Sequence, residues 1–575
     1  MTRVPFRLFL SVVALALAAC ETPSAQPQRH GEAMAVAANP LAADAAAQML
    51  REGGTAVDAA IAGEAVLGLV EPQSSGVGGG GFLLFYSGAT HHIDAYDGRE
   101  RAPAGATPDM FLDADGHPLP FIDAQASGRS VGTPSVFAML KLAHDDHGRL
   151  PWAHLFEPAI QLAQNGFAIS PRMATYIAYA TDHGHLRDDP AARAYLFDEN
   201  GQPWPAGHVL RNPAYAETLR RIANEGPQVL THGPIAEAIV AAAQREPYAG
   251  TLTIADLQAY APRRREAVCG TYRVYRVCGP PLPSSGGEAV LALLGLYERA
   301  RPHPVDTSNI DDWSAFVWAS RLAYADRDHY AADDEFVPVP LHQLYAPHYL
   351  DQRAQLIDLA HAPHSIAPGQ PAGQAIFERW GRDQPTDNPG TSHQSIVDAD
   401  GNAVSITATV ESPYGDQRMV AGFFLNNQLT DFSFTPTLNG KPVANAVAPR
   451  KRPRSSMSPT IITDRQGRLV LVIGSPGGSG IIAYVSRAII GALDWKQTPQ
   501  AAVDTGNVVA ANGTVRVESP RLPPGVAAGL TARGWSVQEI ASEQSGLQAI
   551  LVTPQGLVGG GDSRRESAVR DVPPH

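Results

Sequence analysis

Two hydroxyl-bearing residues, Thr391 and Thr409, flank a segment with the residue pattern of a β-hairpin. Val397 ends one run, Asp398-Ala399-Asp400-Gly401-Asn402 supplies the turn, and Ala403 opens a second run rich in β-branched residues. If Val397 faces Ala403, Thr391 lies opposite Thr409 at the open end of the hairpin. A slip of one residue would turn Thr409 to the other face. A Thr hydroxyl is a weak nucleophile until a neighbouring group takes its proton. Two hydroxyls facing each other at a strand end are therefore a candidate nucleophilic centre.

Other chemistries find less support. His183 and His185 sit in a polar stretch, and His91-His92 has no Cys or carboxylate pattern around it, so no metal site is expected. The run from Gly76 to Gly81 precedes the strand-like Phe82 to Tyr86, whereas a phosphate loop opens a helix and carries a Lys. Close backbone packing is the expected role of these glycines. Lys plus Arg number 44 against 57 Asp plus Glu, a formal charge of −13, which argues against a nucleic-acid partner. The basic runs Arg263-Arg264-Arg265 and Lys451-Arg452-Pro453-Arg454 read as solvated faces or loops.

The elements that must hold the hydroxyl pair follow from local signals. Asn39-Pro40 starts a helix and Gly53-Gly54 stops it. Thr55 and Asp58 form a capping-box pair ahead of an apolar helix reaching about Leu69. Residues 150–360 read as mainly helical, with Ser284 to Gly287 before a helix at about 288–300. Residues 361–390 are rich in Pro, Gly, Gln and Asp, the composition of an exposed loop that tolerates a backbone cut. Strand texture begins at Thr391, returns at Leu469 to Ile473, and gives way to a helix near 480–492. Strands and helices segregated in this way predict an α+β layered fold.

At the N-terminus, Arg3 and Arg7 precede the apolar run Leu8 to Ala19, a signal-peptide pattern over residues 1–19. Leu17-Ala18-Ala19-Cys20 resembles a bacterial lipobox with Cys20 as the lipidated residue; an ordinary signal peptide that happens to hold a Cys is the alternative. Residues 20–30 read as a tether. Glu21 is not the Asp that retains lipoproteins at the inner membrane, so a periplasmic, outer-membrane-anchored protein is expected, touching the membrane only through its lipid. In an oxidising compartment Cys269 and Cys278, flanking a hairpin-like segment, are either bridged or two buried thiols.

The run Thr391-Ser392-His393-Gln394-Ser395, followed by Asp-Gly-Asn-Ala-Val, resembles the small-subunit start of the γ-glutamyltransferase family. So do Leu425 to Gln428, Asp431-Phe432-Ser433, Arg452 to Thr460 and Gly474 to Gly478. Upstream, Gly78 to Phe82, Asp97 to Glu100, Pro283 to Gly287 and Tyr324 to Arg327 fit as well. The resemblance runs from about residue 31 to the C-terminus. It implies the four-layer αββα sandwich of N-terminal-nucleophile hydrolases, an α+β fold. It also implies a large subunit, residues 31–390, and a small subunit, residues 391–575, folded together as one catalytic domain.

By the same resemblance, Thr391 cuts its own bond to Gly390 and then uses its freed α-amine, pKa ~8, as the base. Thr409 assists, and the N–H groups of Gly477 and Gly478 form the oxyanion hole. Arg99, Ser455 and Ser456 hold the α-carboxylate of a γ-glutamyl group, while Gln428 and Asp431 take its α-ammonium. No cofactor is implied. The chain departs from the family at Glu411, where many members have Asn; a carboxylate there could accept from the ammonium but would repel a nearby substrate carboxylate. Ser433 to Ala444 is short and lacks a Tyr to act as a lid, which favours hydrolysis over transfer to an amino-acid or peptide acceptor. The expected reaction is acyl transfer from glutathione and related γ-glutamyl amides. A glutaryl or cephalosporin-type acylase, or a catalytically silent surface-binding lipoprotein, are the alternatives.

Overall fold

The computed structural model describes Met1, residues 32–383 and residues 390–574. The signal-like segment, Cys20 and the tether lie outside the described residues, as do residues 384–389.

Before Gly390 the chain supplies β1 (Ala33–Ala37), β2 (Gly80–Tyr86), β3 (Ile93–Gly98), β4 (Arg263–Glu266), β5 (Val268–Tyr272) and β6 (Tyr275–Gly279). From Gly390 onward it supplies β7 (Gly390–Val397), β8 (Ala403–Glu411), β9 (Thr460–Thr463), β10 (Leu469–Gly474), β11 (Gln548–Thr553), β12 (Gly556–Gly561) and β13 (Ala568–Val572). They form a 7-stranded sheet, order β13-β1-β7-β8-β2-β3-β4, and a 6-stranded sheet, order β12-β11-β10-β9-β6-β5. Strands from either side of Gly390 interleave in the first sheet and adjoin in the second.

Alternation along each strand decides what meets what. Leu83 and Phe85 of β2 face the helices on the outside, whereas Leu84 and Tyr86 point between the sheets, where they meet Val36, Val397, Ile461, Val472 and Ile550. Burying each aliphatic chain of this size contributes about 1.5–3 kcal/mol, which keeps the two sheets face to face. The outer side of the first sheet is covered by α1 (Pro40–Arg51) and α2 (Ala56–Val70), among others. Asn39 caps α1 by accepting from Leu41 N, and the Thr55–Asp58 capping box is formed as expected. Further round this layer lies α3 (Pro171–Asp182). The second sheet is covered by α4 (Gly286–Ala300), α5 (Ile310–Tyr330) and α6 (Ile481–Leu493), whose Leu293, Leu322 and Ile489 pack with Val277, Leu471 and Ala549. The architecture is the four-layer αββα sandwich.

One expectation is corrected here. Lys451, Arg452 and Arg454 are buried rather than solvated. Arg452 pairs with Asp333 and Asp97, Arg454 pairs with Asp383, and Lys451 donates to the carbonyls of Ala444 and Ala446. Arg263 to Arg265 do form a partly exposed edge, as part of β4. Cys269 and Cys278 face each other across β5 and β6 and are bridged.

Candidate active site

The turn Asp398–Asn402 sets the β7–β8 register with Val397 opposite Ala403, and the pairing runs unbroken to Thr391 opposite Thr409. Asp398 fixes the turn by accepting from the backbone of Asp400 and Asn402. Beyond Thr409 the register shifts, so that Glu411, with φ 83°, pairs with Gly390. This bulge ends the regular ladder beside Thr391.

Odd-numbered residues of both strands point between the sheets and form a row of polar pairs: Thr391 with Thr409, His393 with Thr407, Ser395 with Ser405. The Thr391 hydroxyl donates to Thr409 Oγ1 at 3.2 Å. Thr409 Oγ1 accepts from Glu411 N at 2.7 Å and donates to the Gly390 carbonyl at 2.5 Å. Ser395 directs its hydroxyl at Gln548 O, 3.0 Å away, so His393 donates to Ser395 Oγ from Nε2 and accepts from Thr407 at Nδ1. Burial drives the His393 pKa down to about 3, which keeps the ring neutral. Gly79 of the glycine run packs its backbone on Thr409; a Cβ there would lie 2.0 Å from Thr409 O.

Thr391 and Thr409 open into a narrow slot of ≈ 40 Å³ that also collects Arg99, Glu411, Gln428, Asp431, Ser455, Ser456 and Gly478. Arg99 is wholly buried. Its Nη2 donates to Asp431 Oδ2 at 2.5 Å and to Arg454 O at 2.7 Å, and its Nε donates to Pro453 O at 3.1 Å. Among the described residues Arg99 Nη1 makes no hydrogen bond, and it lies 3.7 Å from Glu100 Oε2. Gln428 donates to Asp431 Oδ2 at 2.7 Å. Glu411 accepts from Ser412 at 2.5 Å and from Asn427. Burial, and then the neighbouring Asp431 carboxylate, push its pKa well above the usual carboxylate range. Glu411 thus holds its proton more tightly than an ordinary carboxyl, while Asp431 lies against the Arg99 guanidinium.

Gly477 and Gly478 follow β10 with φ 129° and 60°, values that favour glycine. Gly478 reaches the slot; Gly477 stands just behind it, against the Tyr484 ring. No residue of the segment Ser433–Ala444 lines the slot; its middle folds into a small hairpin of Thr437–Leu438 with Lys441–Pro442. The slot thus gathers the sequence-predicted catalytic and carboxylate- or ammonium-binding residues except Gly477, which stands behind Gly478, while Gly390 precedes Thr391 at its edge. Cys269 and Cys278 lie apart on the second sheet.

Several contributors were not singled out from the sequence. Arg327 donates to Ser456 Oγ at 2.5 Å and to Ser285 Oγ at 3.0 Å, holding Ser456 in the wall; its signal was the Tyr324-to-Arg327 motif. Arg454 lines the slot from within the Arg452-to-Thr460 motif. Arg565 donates to Thr391 O at 2.7 Å, and nothing in its local sequence announces this. Among the described residues, Asp113, Asp115 and His117 come close enough to share a cation, but they sit on an exposed turn that Asp113 itself caps.

The chain matches the family model described as gamma-glutamyltranspeptidase over residues 42–572. It is 37% identical over 481 residues to the glutathione hydrolase proenzyme of Bacillus subtilis (strain 168), covering 82% of this chain and 80% of that one. It is 32% identical over 543 residues to the acylase ACY 1 proenzyme of Pseudomonas sp. (strain V22), covering 93% and 92%. Its fold superposes on the crystal structure of cephalosporin acylase from Bacillus halodurans with TM-score 0.82 at 26% identity, covering 97% of this chain and 99% of that one. The matched span contains the hydroxyl pair, the slot and every strand of the two sheets except β1, and the chain belongs to the gamma-glutamyltranspeptidase family.

Proposed function

We propose that the chain is a self-cleaving γ-glutamyl hydrolase and transferase that works through a Thr391 acyl-enzyme. The observation that carries this reading is the hydrogen bond from Thr409 to the carbonyl of Gly390, next to the Thr391 hydroxyl. In the uncut chain Thr391 Oγ1 adds to the Gly390 carbonyl carbon, whose oxygen is already polarised by Thr409. The C–N bond breaks as the nitrogen takes a proton, and water opens the resulting ester. This leaves the Gly390 carboxylate and a free α-amine on Thr391, giving subunits 31–390 and 391–575 that stay folded together.

In turnover that amine takes the hydroxyl proton while Oγ1 attacks a γ-glutamyl amide. Arg99 Nη1, with Ser455 and Ser456, receives the α-carboxylate; Asp431, Gln428 and Glu411 receive the α-ammonium. The N–H groups of Gly477 and Gly478 stabilise the tetrahedral oxyanion, where losing one donor typically costs ~3–4 kcal/mol. The amine leaves with the proton, and water or a second amine releases the acyl group. The same reading includes residues 1–19 as signal peptide and Cys20 as the lipid anchor of a periplasmic enzyme at the outer membrane.

A glutaryl-type acylase is the second reading, because the acylase relative matches nearly the whole chain. The Asp431 carboxylate in the slot favours a substrate bearing an ammonium. Intact mass spectrometry of wild type and Thr391→Ala tests self-cleavage: two fragments meeting at Gly390–Thr391 are expected for the former and one chain for the latter. Comparing γ-glutamyl and glutaryl anilides then separates the two readings. Faster glutaryl cleavage would replace the first with the second.

A further inference from the structure

Between Asp312 and Tyr330 every residue of α5 is buried except Arg321. There the helix faces a cleft of ≈ 470 Å³ that shares no lining residue with the slot. Its walls carry Arg321, Arg382, His364, Asn512 and Trp535 beside the apolar Pro363. No Asp or Glu lines it, in a chain with 57 acidic residues against 44 basic ones.

Arg321 is short of a counter-charge. Among the described residues its guanidinium donates to the Gly513 carbonyl, pairs with no carboxylate, and keeps Nε buried without a partner. Its pKa is lowered to about 10, first by burial and then by the Arg382 charge. Arg382 is only partly compensated. It donates to Asn512 Oδ1, and the Asp328 carboxylate stands 3.9 Å from its Nη2 but is itself held by Arg327 at 2.8 Å. Cations withdrawn from water are ordinarily paired, so two neighbouring guanidiniums with this little negative charge around them are poised for an anion.

Trp535 makes the same point from the other wall. It is 6% exposed, and among the described residues its indole N–H is buried without an acceptor, where such a group normally has one. The Arg321 guanidinium lies over its ring, 5.8 Å from the centroid, and Trp318 of α5 meets that ring edge-on at 5.6 Å. The indole is thus fixed in place beside the charge.

We infer that this cleft binds a small organic oxyanion, with its phosphoryl or carboxylate group between Arg321 and Arg382 and a flat apolar body against Trp535 and Pro363. Guanidinium forks suit either oxyanion, and the volume lies within the ~300–1,000 Å³ of small-molecule sites. The assignment concerns binding alone and stands apart from the acyl-enzyme reading above.

The test is calorimetry on the purified protein at fixed ionic strength, titrating phenyl phosphate, benzoate and inorganic phosphate in turn. Phenyl phosphate or benzoate should bind more tightly than inorganic phosphate, and the better of the two identifies the oxyanion as phosphoryl or carboxylate. Arg321→Gln should weaken that binding about 10- to 100-fold, the loss of a charge-assisted hydrogen bond. Arg382→Gln, a change at a half-exposed side chain, should weaken it in the same sense and serves if the first variant folds poorly. Arg99→Lys, in the slot, should leave it unchanged. No binding of any of the three probes, equal binding by wild type and the folded Arg321 or Arg382 variant, or a loss confined to Arg99→Lys would each overturn the assignment.

Discussion

Thr409 stands between two partners, with the Thr391 hydroxyl 3.2 Å from its oxygen and the Gly390 carbonyl 2.5 Å away. Both contacts come from one oxygen on β8, held by the Glu411 N–H at the bulge. Thr409→Ala should slow self-cleavage by roughly 10²–10³-fold, the effect of losing one donor to a developing oxyanion, while Thr409→Ser should keep most of the rate. Time courses of precursor loss on denaturing gels read this directly. Equal rates for the Ala and Ser variants would remove Thr409 from the reaction.

Gly390 is confined by backbone. A Cβ there would meet Glu411 O at 2.4 Å and Ser412 C at 2.7 Å. Gly390→Ala should therefore displace the scissile carbonyl from Thr409 and leave mostly uncut chain, although the nucleophile is intact. Intact mass and a circular-dichroism melt together distinguish blocked processing from failed folding.

Arg99 makes three hydrogen bonds to the protein, and among the described residues its Nη1 makes none, lying 3.7 Å from Glu100 Oε2. Lysine cannot span Pro453 O, Arg454 O and Asp431 while also offering a donor to substrate. Arg99→Lys should raise KM for a γ-glutamyl anilide about 10- to 100-fold, the loss of a charge-assisted pair. The KM for a 4-aminobutyryl anilide, which lacks the α-carboxylate, should change far less. Equal changes for both would place the carboxylate elsewhere.

His393 gives the fold a signed pH dependence. Its pKa is about 3 in the fold, through burial, against ~6.5 when unfolded. The unfolded chain therefore binds the extra proton between these values. The stabilisation is fully present above ~6.5 and is lost as pH falls toward 3, by about 1.4 kcal/mol per pH unit. Buried Glu64, Glu100 and Glu288, each raised to about 8 chiefly by burial, work in the opposite sense between ~4.5 and 8. The test is thus a difference: wild type should lose more melting temperature than His393→Gln between pH 6.5 and 4.5. A constant gap between the two would mean that the imidazole does not titrate on unfolding.

The hydroxyl pair was legible in the sequence because strand geometry has a period of two and the Asp398–Asn402 turn leaves little choice of register. The bulge at Glu411 was not, since Glu has no preference for the positive φ it adopts there. Burial of Lys451, Arg452 and Arg454 was hidden for a related reason: Asp97, Asp333 and Asp383, which neutralise two of them, are remote in the chain. Arg565 reaches Thr391 across 174 positions, a contact that sheet topology creates and local pattern cannot encode. Motifs located the chemistry, and long-range pairing supplied the residues that hold it in place.

The interleaving of strands from before and after Gly390 changes the molecularity of unfolding once the bond is cut. β1 lies between β13 and β7, and β2 is hydrogen-bonded to β8, so neither piece can leave without breaking sheet ladders. Dilution of the cut protein should not release subunits on its own, because separation and unfolding are one event. The uncut Thr391→Ala chain should melt at a temperature independent of concentration. The cut wild type, if its melting is reversible, should melt higher as concentration rises, since its refolding has become a bimolecular encounter.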